Sequence, residues 1–372
     1  MIISRTPFRI SFFGGGTDYP AWYRLYGGNV LATTINKYCY LTCRFLPPFF
    51  EHRIRVVYSK TEYCRQVDEI QHPAVREILR YLEIDRGVEI HHDGDLPARS
   101  GIGSSSAFTV GLLHALYALK GHIPTKYKLA KESILVEQKL LREMVGSQDQ
   151  ILAAYGGFNH ITFSPDGEFL VKPMTLSAER VHELNAHLML FFTGIHRTAS
   201  HVAKSYVRDV ENKKEPMQRI GEMVQEAISI LTGSGDILPF GKLLHDYWQA
   251  KCRLGSKVSN PTIEALYQEA LSSGAIGGKL IGAGGGGFLL LFVPPSRQRR
   301  VKERLKGLIH VPFKFESSGS QIIFFDPEED YALEEEARAR QWVGAFKELS
   351  GNGVSKGAGR RRMVWKSALR ST

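Results

Sequence analysis

Short apolar runs separated by turns open the chain, and longer apolar stripes follow them. β-Branched and aromatic residues interrupted by glycines and polar residues predict strands at residues 8–13, 29–35 and 38–46. Apolar residues then recur with the three- and four-residue spacing of a helix at residues 74–82, 107–119 and 129–145. This change of period predicts an α+β fold for the N-terminal half.

A second unit is predicted to begin near residue 176, after the turn-forming run Ser164-Pro165-Asp166-Gly167. Helical spacing follows at residues 199–210, 217–231, 240–254 and 261–272, and strand-like runs follow at 287–293 and 321–325. We therefore expect two α+β domains, residues 1–175 and 176–326. Residues 327–372 are predicted to be an appendage, with a charged helix at 328–349 and a basic tail that offers little apolar surface to bury.

Composition places the chain among globular enzymes. Of its 372 residues, 43% are apolar and 23% are charged, which argues against a disordered chain. Its longest apolar runs are far shorter than the roughly 20 residues that span a bilayer, and its N-terminus lacks the pattern of a signal peptide. The four cysteines form no C-x-x-C pair, which argues against a zinc site. We expect a cytoplasmic protein without a membrane partner.

The net charge of +10 raises the question of a nucleic-acid partner. Six of these charges lie within residues 351–372, where no acidic residue offsets them, so the rest of the chain carries only +4. A mildly basic body suits anionic substrates of low molecular weight equally well. The charge distribution therefore disfavours nucleic acid as the main partner.

The strongest chemical feature is the glycine- and serine-rich loop at residues 97–107, which runs directly into an apolar helix. Free N–H groups at a helix N-terminus attract anions, and glycines let the backbone approach a phosphate closely. The same serines would also serve as ordinary helix caps, and the local sequence leaves that alternative open. The G-x-x-x-x-G-K-[ST] pattern occurs nowhere in the chain, so this is not a Walker loop.

A second glycine cluster covers residues 277–287 and contains a formal G-x-G-x-x-G match at residues 282–287. A dinucleotide-binding fingerprint needs a helix directly after its glycines. The chain continues here with the apolar strand-like run 288–293 instead. The sequence therefore disfavours a nicotinamide enzyme.

Three carboxylates are candidates for binding a substrate, holding a metal ion or accepting a proton. Asp18 follows a strand and the turn Gly14-Gly15-Gly16-Thr17, where it is either a ligand of sugar hydroxyls or a turn aspartate. Glu137 and Asp149 would lie roughly 18 Å apart on an unbroken helix. Gly146 is predicted to end that helix and to fold Asp149 back towards Glu137. One carboxylate would then hold Mg²⁺ while the other handles a proton.

These clusters, in this order, resemble the GHMP kinases, the superfamily of galactokinase, homoserine kinase, mevalonate kinase and phosphomevalonate kinase. The resemblance covers about residues 1–326, with its motifs at 7–19, 97–107 and 279–290. It implies a ribosomal-protein-like N-terminal domain with a left-handed crossover and a ferredoxin-like C-terminal domain. Galactokinases carry a Glu-His pair where this chain has Gly15 and Gly16, which argues against galactose as the substrate.

The resemblance also implies roles for individual residues. Asp149 would be the catalytic base, and Arg9 would lie near the transferred phosphate. The predicted ATP-phosphate ligands are Pro97, Gly101, Ile102, Gly103, Ser104, Ser105 and Ser106. Mg²⁺ would be held by Glu137 and Ser105, with Ser106 as a rival. The predicted acceptor ligands are Gly15, Gly16, Thr17, Asp18, Gly284 and Gly285.

Within the superfamily, residues 9–20 and 103–112 resemble the bacterial heptose 7-phosphate kinases. The implied reaction moves phosphate from MgATP to the anomeric hydroxyl of D-glycero-D-manno-heptose 7-phosphate. Arg197 is our candidate for binding the 7-phosphate, because a guanidinium grips phosphate with two hydrogen bonds. The alternatives are a sugar 1-kinase for an unphosphorylated hexose such as fucose, a catalytically inactive sugar or nucleotide sensor, and a nucleic-acid binder acting through the basic tail. The sequence carries no signal for an oligomeric state.

Overall fold

The computed structural model describes residues 1–195 and 212–327, together with positions 331, 333, 334 and 336. Arg197, the helix predicted at 199–210, the basic tail and nearly all of the charged segment 328–349 lie outside the described residues.

A large, mainly antiparallel sheet organises the first unit. Its strands are β1 (Ile2–Phe13), β2 (Gly28–Phe45), β3 (Ile54–Val57), β4 (Thr61–Cys64), β5 (Val88–Gly94), β6 (Phe158–Phe163), β7 (Phe169–Pro173), β12 (Phe315–Glu316) and β13 (Gln321–Phe325). The main strand order is β13-β1-β2-β5-β3-β4. The strands predicted at 29–35 and 38–46 form the single strand β2, whose first half pairs with β6 and whose second half pairs with β5.

Helices of the first unit bring the loops of interest to one end of this sheet. They are α1 (Pro20–Tyr26), α2 (Pro73–Tyr81), α3 (Ser104–Leu119), α4 (Lys126–Leu135) and α5 (Gln148–Tyr155), with one π-helical turn, Val136–Leu140, after α4. The helix predicted at 129–145 therefore ends at Leu140, before Gly146. Arg142 has the left-handed value φ +54°, which breaks the helical path earlier than the glycine does.

The second unit is a four-stranded antiparallel sheet covered by helices. Its elements are α6 (Ala178–His187), β8 (Leu188–Phe192), α7 (Lys214–Thr232), α8 (Leu238–Cys252), α9 (Pro261–Ser272), β9 (Gly277–Leu280), β10 (Phe288–Phe292), α10 (Gln298–Arg304) and β11 (Ile309–His310). The strand order β11-β8-β10-β9 is that of a ferredoxin-like unit. The helices predicted at 217–231, 240–254 and 261–272 are confirmed to within two or three residues at each end.

The last strand does not belong to the second unit. β13 pairs with β1 in the first sheet, with Ile2 opposite Phe325, and β12 pairs with β2. The last two strands of the domain predicted at 176–326 therefore belong to the sheet of the first unit. The outer edge of β1 has unpaired backbone groups, and β13 pairs with them. The boundary near residue 176 stays a prediction.

Aromatic side chains join the two units into one buried core. Phe12 and Phe13 at the end of β1 make edge contacts with Phe240 of α8, with ring centroids 5.6 and 5.2 Å apart. Phe13 also packs against Tyr247, with centroids 5.4 Å apart. This packing holds α8 and β9 against the end of β1. None of the helices in the described parts of the chain combines the length and apolar character that a bilayer span requires.

Candidate active site

A cleft lies between the two units, at the end of β1. Its walls come from the loop after β1, the glycine loop before α3, the start of α5, and Lys251, Lys279, Gly282 and Ala283 of the second unit. The structure thus brings the three predicted glycine motifs to one place.

Arg9 and Asp149 form the centre of this cleft. Arg9 lies on β1, where only 6% of its side chain is exposed, and it donates from Nε and Nη2 to the two Asp149 carboxylate oxygens at 2.7 and 2.6 Å. Its Nη1 donates to the Gly101 carbonyl oxygen at 2.5 Å. The arginine therefore joins the predicted base to the predicted phosphate loop.

Asp149 lies in the first turn of α5, where the helix dipole favours a carboxylate. Its side chain is 23% exposed and lines the cleft. A polar group bound in the cleft can therefore reach this carboxylate, as the predicted role of a base would require.

The backbone of the glycine loop adopts a conformation and makes contacts that leave no room for side chains. Gly101 and Gly103 have the left-handed values φ +86° and +75°, and a side chain on Gly101 would meet the Ile281 carbonyl oxygen at 2.4 Å. Gly103 is the N-cap residue of α3, without a side-chain cap. The serines that follow it therefore do not cap the helix, and Ser104, Ser105 and Ser106 line the cleft instead. Pro97 is exposed and accepts a hydrogen bond from the Ser100 hydroxyl, outside the cleft lining.

Glu137 lies behind this loop, in the π-helical turn. Its Oε2 accepts hydrogen bonds from the Ser106 hydroxyl at 3.0 Å and from Gln150 Nε2 at 2.5 Å. Its Oε1 is buried and has no hydrogen-bond partner among the described residues. Burial, with a smaller contribution from the Glu143 charge, raises the pKa of Glu137 to about 8. Ser106 is buried in contact with this carboxylate, whereas Ser105 is exposed.

Asp18 is buried in the same cleft, near enough for the Asp149 charge to act on it. It accepts a hydrogen bond from the Gly16 N–H at 2.8 Å, and burial together with the Asp149 charge raises its pKa. A Cβ on Gly146 would stand 1.9 Å from Asp18 Oδ2, so the glycine is required for the close packing here. Thr17 donates its hydroxyl to the Gly14 and Asn29 carbonyl oxygens, which makes it part of the turn rather than of the cleft lining.

The second glycine motif contributes at different positions from those predicted. Gly282 and Ala283 line the cleft. Gly285 donates its N–H to the Val258 carbonyl oxygen at 2.8 Å, and a side chain on Gly284 would meet the same oxygen at 2.4 Å. Neither Gly284 nor Gly285 is part of the cleft lining, and Arg197 lies outside the described residues.

Sequence reasoning missed two lysines that line the cleft. Lys251 of α8 and Lys279 of β9 are 3% and 1% exposed. Burial lowers the pKa of Lys251 to about 8, and burial together with the nearby Lys251 charge lowers that of Lys279 well below its usual value. For Lys251 a positional signal was available, because it follows Tyr247 by one helical turn on the apolar face of α8. For Lys279 there was none, because its strand Gly277–Leu280 reads Gly-Gly-Lys-Leu.

Parts of the chain and its fold are similar to known proteins. Residues 69–157 match the GHMP kinase N-terminal domain and residues 224–309 match the GHMP kinase C-terminal domain. The chain is 27% identical over 322 residues to D-glycero-alpha-D-manno-heptose 7-phosphate kinase of Campylobacter jejuni, covering 82% of this chain and 93% of that protein. It is 25% identical over 352 residues to L-fucokinase/L-fucose-1-P guanylyltransferase of Bacteroides fragilis, covering 82% of this chain and 36% of that protein.

Among solved structures, a D-glycero-D-manno-heptose 1-phosphate kinase from Bacteroides thetaiotaomicron superposes with a TM-score of 0.72 at 24% identity, over 88% of this chain and all of that one. The fold and the site thus define a phosphotransferase with an alcohol group as acceptor. Residues 69–157 and 224–309 carry the N- and C-terminal domains of the GHMP kinases, and the two-domain fold is that of these kinases. GHMP kinases use ATP as the phosphate donor.

Proposed function

We propose that the protein transfers the γ-phosphoryl group of ATP to the anomeric hydroxyl of D-glycero-D-manno-heptose 7-phosphate, giving the 1,7-bisphosphate for nucleotide-activated heptose synthesis. The observation that carries the proposal is the Arg9–Asp149 ion pair, in which Arg9 also donates to the Gly101 carbonyl oxygen of the glycine loop. A carboxylate and a guanidinium beside that loop support a base and a cation for phosphoryl transfer. The similarity to a heptose 7-phosphate kinase over most of both chains supports the choice of acceptor.

In this reaction Asp149 accepts the proton of the anomeric hydroxyl. The resulting oxygen nucleophile forms a bond to the γ-phosphorus while the bond to the bridging β-phosphate oxygen breaks, and ADP leaves. Phosphoryl transfer mainly requires positioning and neutralisation of charge, which the amides of the glycine loop and Arg9 supply. An anomeric hydroxyl is more acidic than an ordinary alcohol, so a carboxylate suffices as the base.

The residues present fit a magnesium ion. Glu137 Oε1 is a buried oxygen without a hydrogen-bond partner, and the Ser106 hydroxyl lies beside the same carboxylate. In the described parts of the chain no three His, Cys, Asp or Glu side chains come together as a metal cage. This suits Mg²⁺, which proteins often hold through one or two carboxylates and the substrate phosphates. Glu137 and Ser106 would hold the ion, and its charge would neutralise the phosphate oxygens.

The second candidate is a 1-kinase for a free sugar such as fucose, which the match to the L-fucokinase protein favours. The same base and glycine loop would serve that reaction, so only the acceptor differs. A catalytically inactive sensor would not need the Arg9–Asp149 pair at the phosphate loop, so the pair favours an enzyme.

The test is ATP consumption by the purified protein with Mg²⁺ and a panel of acceptors. The panel contains heptose 7-phosphate, free heptose, fucose, galactose and mevalonate. We expect turnover with heptose 7-phosphate and formation of a 1,7-bisphosphate visible by ³¹P NMR. Turnover confined to a free sugar would replace the acceptor but keep the mechanism, and the absence of turnover with every acceptor would contradict the proposed kinase activity.

A further inference from the structure

Two buried ammonium groups line the cleft and form no salt bridge with a carboxylate of the described residues, although the Asp18 charge acts on both. The charged side chains that line it are Arg9, Arg99, Lys251, Lys279, Asp18 and Asp149. Arg9 and Asp149 neutralise each other. Lys251 donates to the Gly282 carbonyl oxygen at 2.8 Å, and Lys279 donates to those of Ser11 and Phe12 at 2.7 and 3.0 Å. Carbonyl oxygens solvate a cation but do not cancel its charge.

The two lysines lie close enough to act together. Their Nζ atoms are 5.9 and 4.3 Å from the centroid of the same ring, that of Tyr247, whose hydroxyl donates to the Gly15 carbonyl oxygen. The Lys251 charge repels that of Lys279 and lowers the pKa of Lys279. This repulsion raises the free energy of the protein without ligand. A dianion bound between them would offset both the repulsion and the loss of hydration.

Unpaired polar atoms lie in the same part of the cleft. The Ser11 hydroxyl and Gln148 Oε1 are buried, line the cleft and have no hydrogen-bond partner among the described residues. The backbone of Ser11 already anchors Lys279. Its hydroxyl is therefore a donor beside an ammonium group, a combination that suits a phosphate oxygen. The Gln148 oxygen can accept a hydrogen bond from a sugar hydroxyl.

The position of Lys279 separates it from the glycine loop, whereas Lys251 donates to Gly282, which packs against Gly101 of that loop. Along β1, Arg9 contacts the loop through Gly101, whereas Lys279 contacts the strand further on, at Ser11 and Phe12. The chain beyond that point is the turn that leads to Asp18. Lys279 therefore lies towards the side of the cleft where we expect the acceptor, away from the amides that would bind the phosphates of ATP.

We propose that Lys251, Lys279 and the Ser11 hydroxyl form a binding site for the phosphate monoester that the acceptor already carries. The inference rests on the proposed function and deepens it, because it selects phosphorylated over free sugars through residues of the second unit. It also assigns to these lysines the role that sequence reasoning gave to Arg197.

The test compares Lys279→Met and Lys251→Met with the wild-type protein. Methionine keeps the apolar length of the side chain but removes the charge, and removing an unpaired buried charge is often neutral or stabilising. Lys242→Met is the matched control, since Lys242 is an exposed lysine on α8. We expect the KM for heptose 7-phosphate to rise by about 10- to 100-fold in each cleft variant. The kcat, the KM for ATP and the control variant should change little.

A second measurement does not depend on the variants being active. Inorganic phosphate should inhibit the wild-type protein competitively against the sugar phosphate, and Lys279→Met should weaken that inhibition. If the KM for ATP rises or the kcat falls instead, the lysines serve the transferred phosphoryl group and the proposal is wrong. Unchanged kinetics in folded variants of an active wild type would overturn this inference alone. A wild type that uses only free sugars would overturn the proposed acceptor as well.

Discussion

Arg9 and Asp149 are 140 residues apart in the chain, yet the arginine donates two hydrogen bonds to the carboxylate, from Nε at 2.7 Å and from Nη2 at 2.6 Å. The remaining guanidinium nitrogen holds the Gly101 carbonyl oxygen. One side chain therefore sets the distance between Asp149, the proposed base, and the glycine loop, the proposed phosphate site. Phosphoryl transfer depends on such positioning, so substitutions in this pair test the proposed mechanism most directly.

Asp149→Asn should lower kcat by about 10²- to 10⁴-fold, because the amide has the same shape but cannot accept the proton. ATP binding, measured by fluorescence titration, should be largely kept, since Asp149 is not in the glycine loop. Asp166→Asn in the turn between β6 and β7 is the control and should retain full activity. Near-normal turnover of Asp149→Asn would remove this residue from the mechanism.

Glu137→Gln should weaken magnesium binding without lowering the thermal stability of the protein. Burial raises the pKa of Glu137 to about 8, so near pH 7 and without Mg²⁺ the carboxyl is already largely neutral. The amide has the same shape, so thermal unfolding without Mg²⁺ should occur at about the same temperature as in the wild type. Mg²⁺ with an ATP analogue should stabilise the wild type much more than the variant, and the Mg²⁺ concentration for half-maximal activity should rise by at least about tenfold.

Glu132→Gln is the matched control, because Glu132 lies on α4 and accepts a hydrogen bond from Tyr117, away from the cleft. It should show the wild-type response to Mg²⁺. An equal response in Glu137→Gln would mean that other groups hold the ion.

Gly146→Ala should disturb the acceptor side of the cleft. The added Cβ would lie 1.9 Å from Asp18 Oδ2 and 2.6 Å from its Cγ, so the carboxylate must move. A displacement of about 1 Å can cost about 100-fold in rate, and we expect kcat/KM for the acceptor to fall more than that for ATP. Gly307→Ala, where no atom lies within 4 Å of the new Cβ, should behave as wild type. Equal losses for both substrates would argue against a role of Asp18 in binding the acceptor.

His114 should make the fold sensitive to acid. It lies on α3, 2.9 Å from the Ser320 hydroxyl just before β13, and burial lowers its pKa from 6.5 to about 4. The unfolded chain takes up a proton below pH 6.5 while the folded chain does not. Stability is therefore lost as the pH falls from 6.5 to about 4, by up to about 3 kcal/mol.

Urea unfolding of the wild type and of His114→Asn at pH 7.5, 6 and 5 measures this contribution. The difference in unfolding free energy between the two proteins should shrink as the pH falls, because the asparagine takes up no proton. Parallel pH profiles for the two proteins would show that His114 does not titrate as burial requires.

Features that depend on only a few neighbouring residues could be predicted from the sequence. Strand-to-turn and loop-to-helix transitions placed Asp18 and the glycine loop correctly, since such signals act within a few residues. The helices at 217–231, 240–254 and 261–272 followed from apolar spacing for the same reason. The order of the motifs, with the resemblance it carried, was enough to bring Arg9 and Asp149 into one site before their contact was visible.

Contacts between distant segments decided the rest. The return of β13 to β1 depends on the open edge of another strand, and no residue of 321–325 signals that edge. Ser106 contacts Glu137 because α3 packs beside the π-helical turn, which the loop sequence does not reveal. Lys251 and Lys279 become buried only where α8 and β9 pack against β1. The lowered pKa of each ammonium group follows from that burial, so it depends on the contact between the two units.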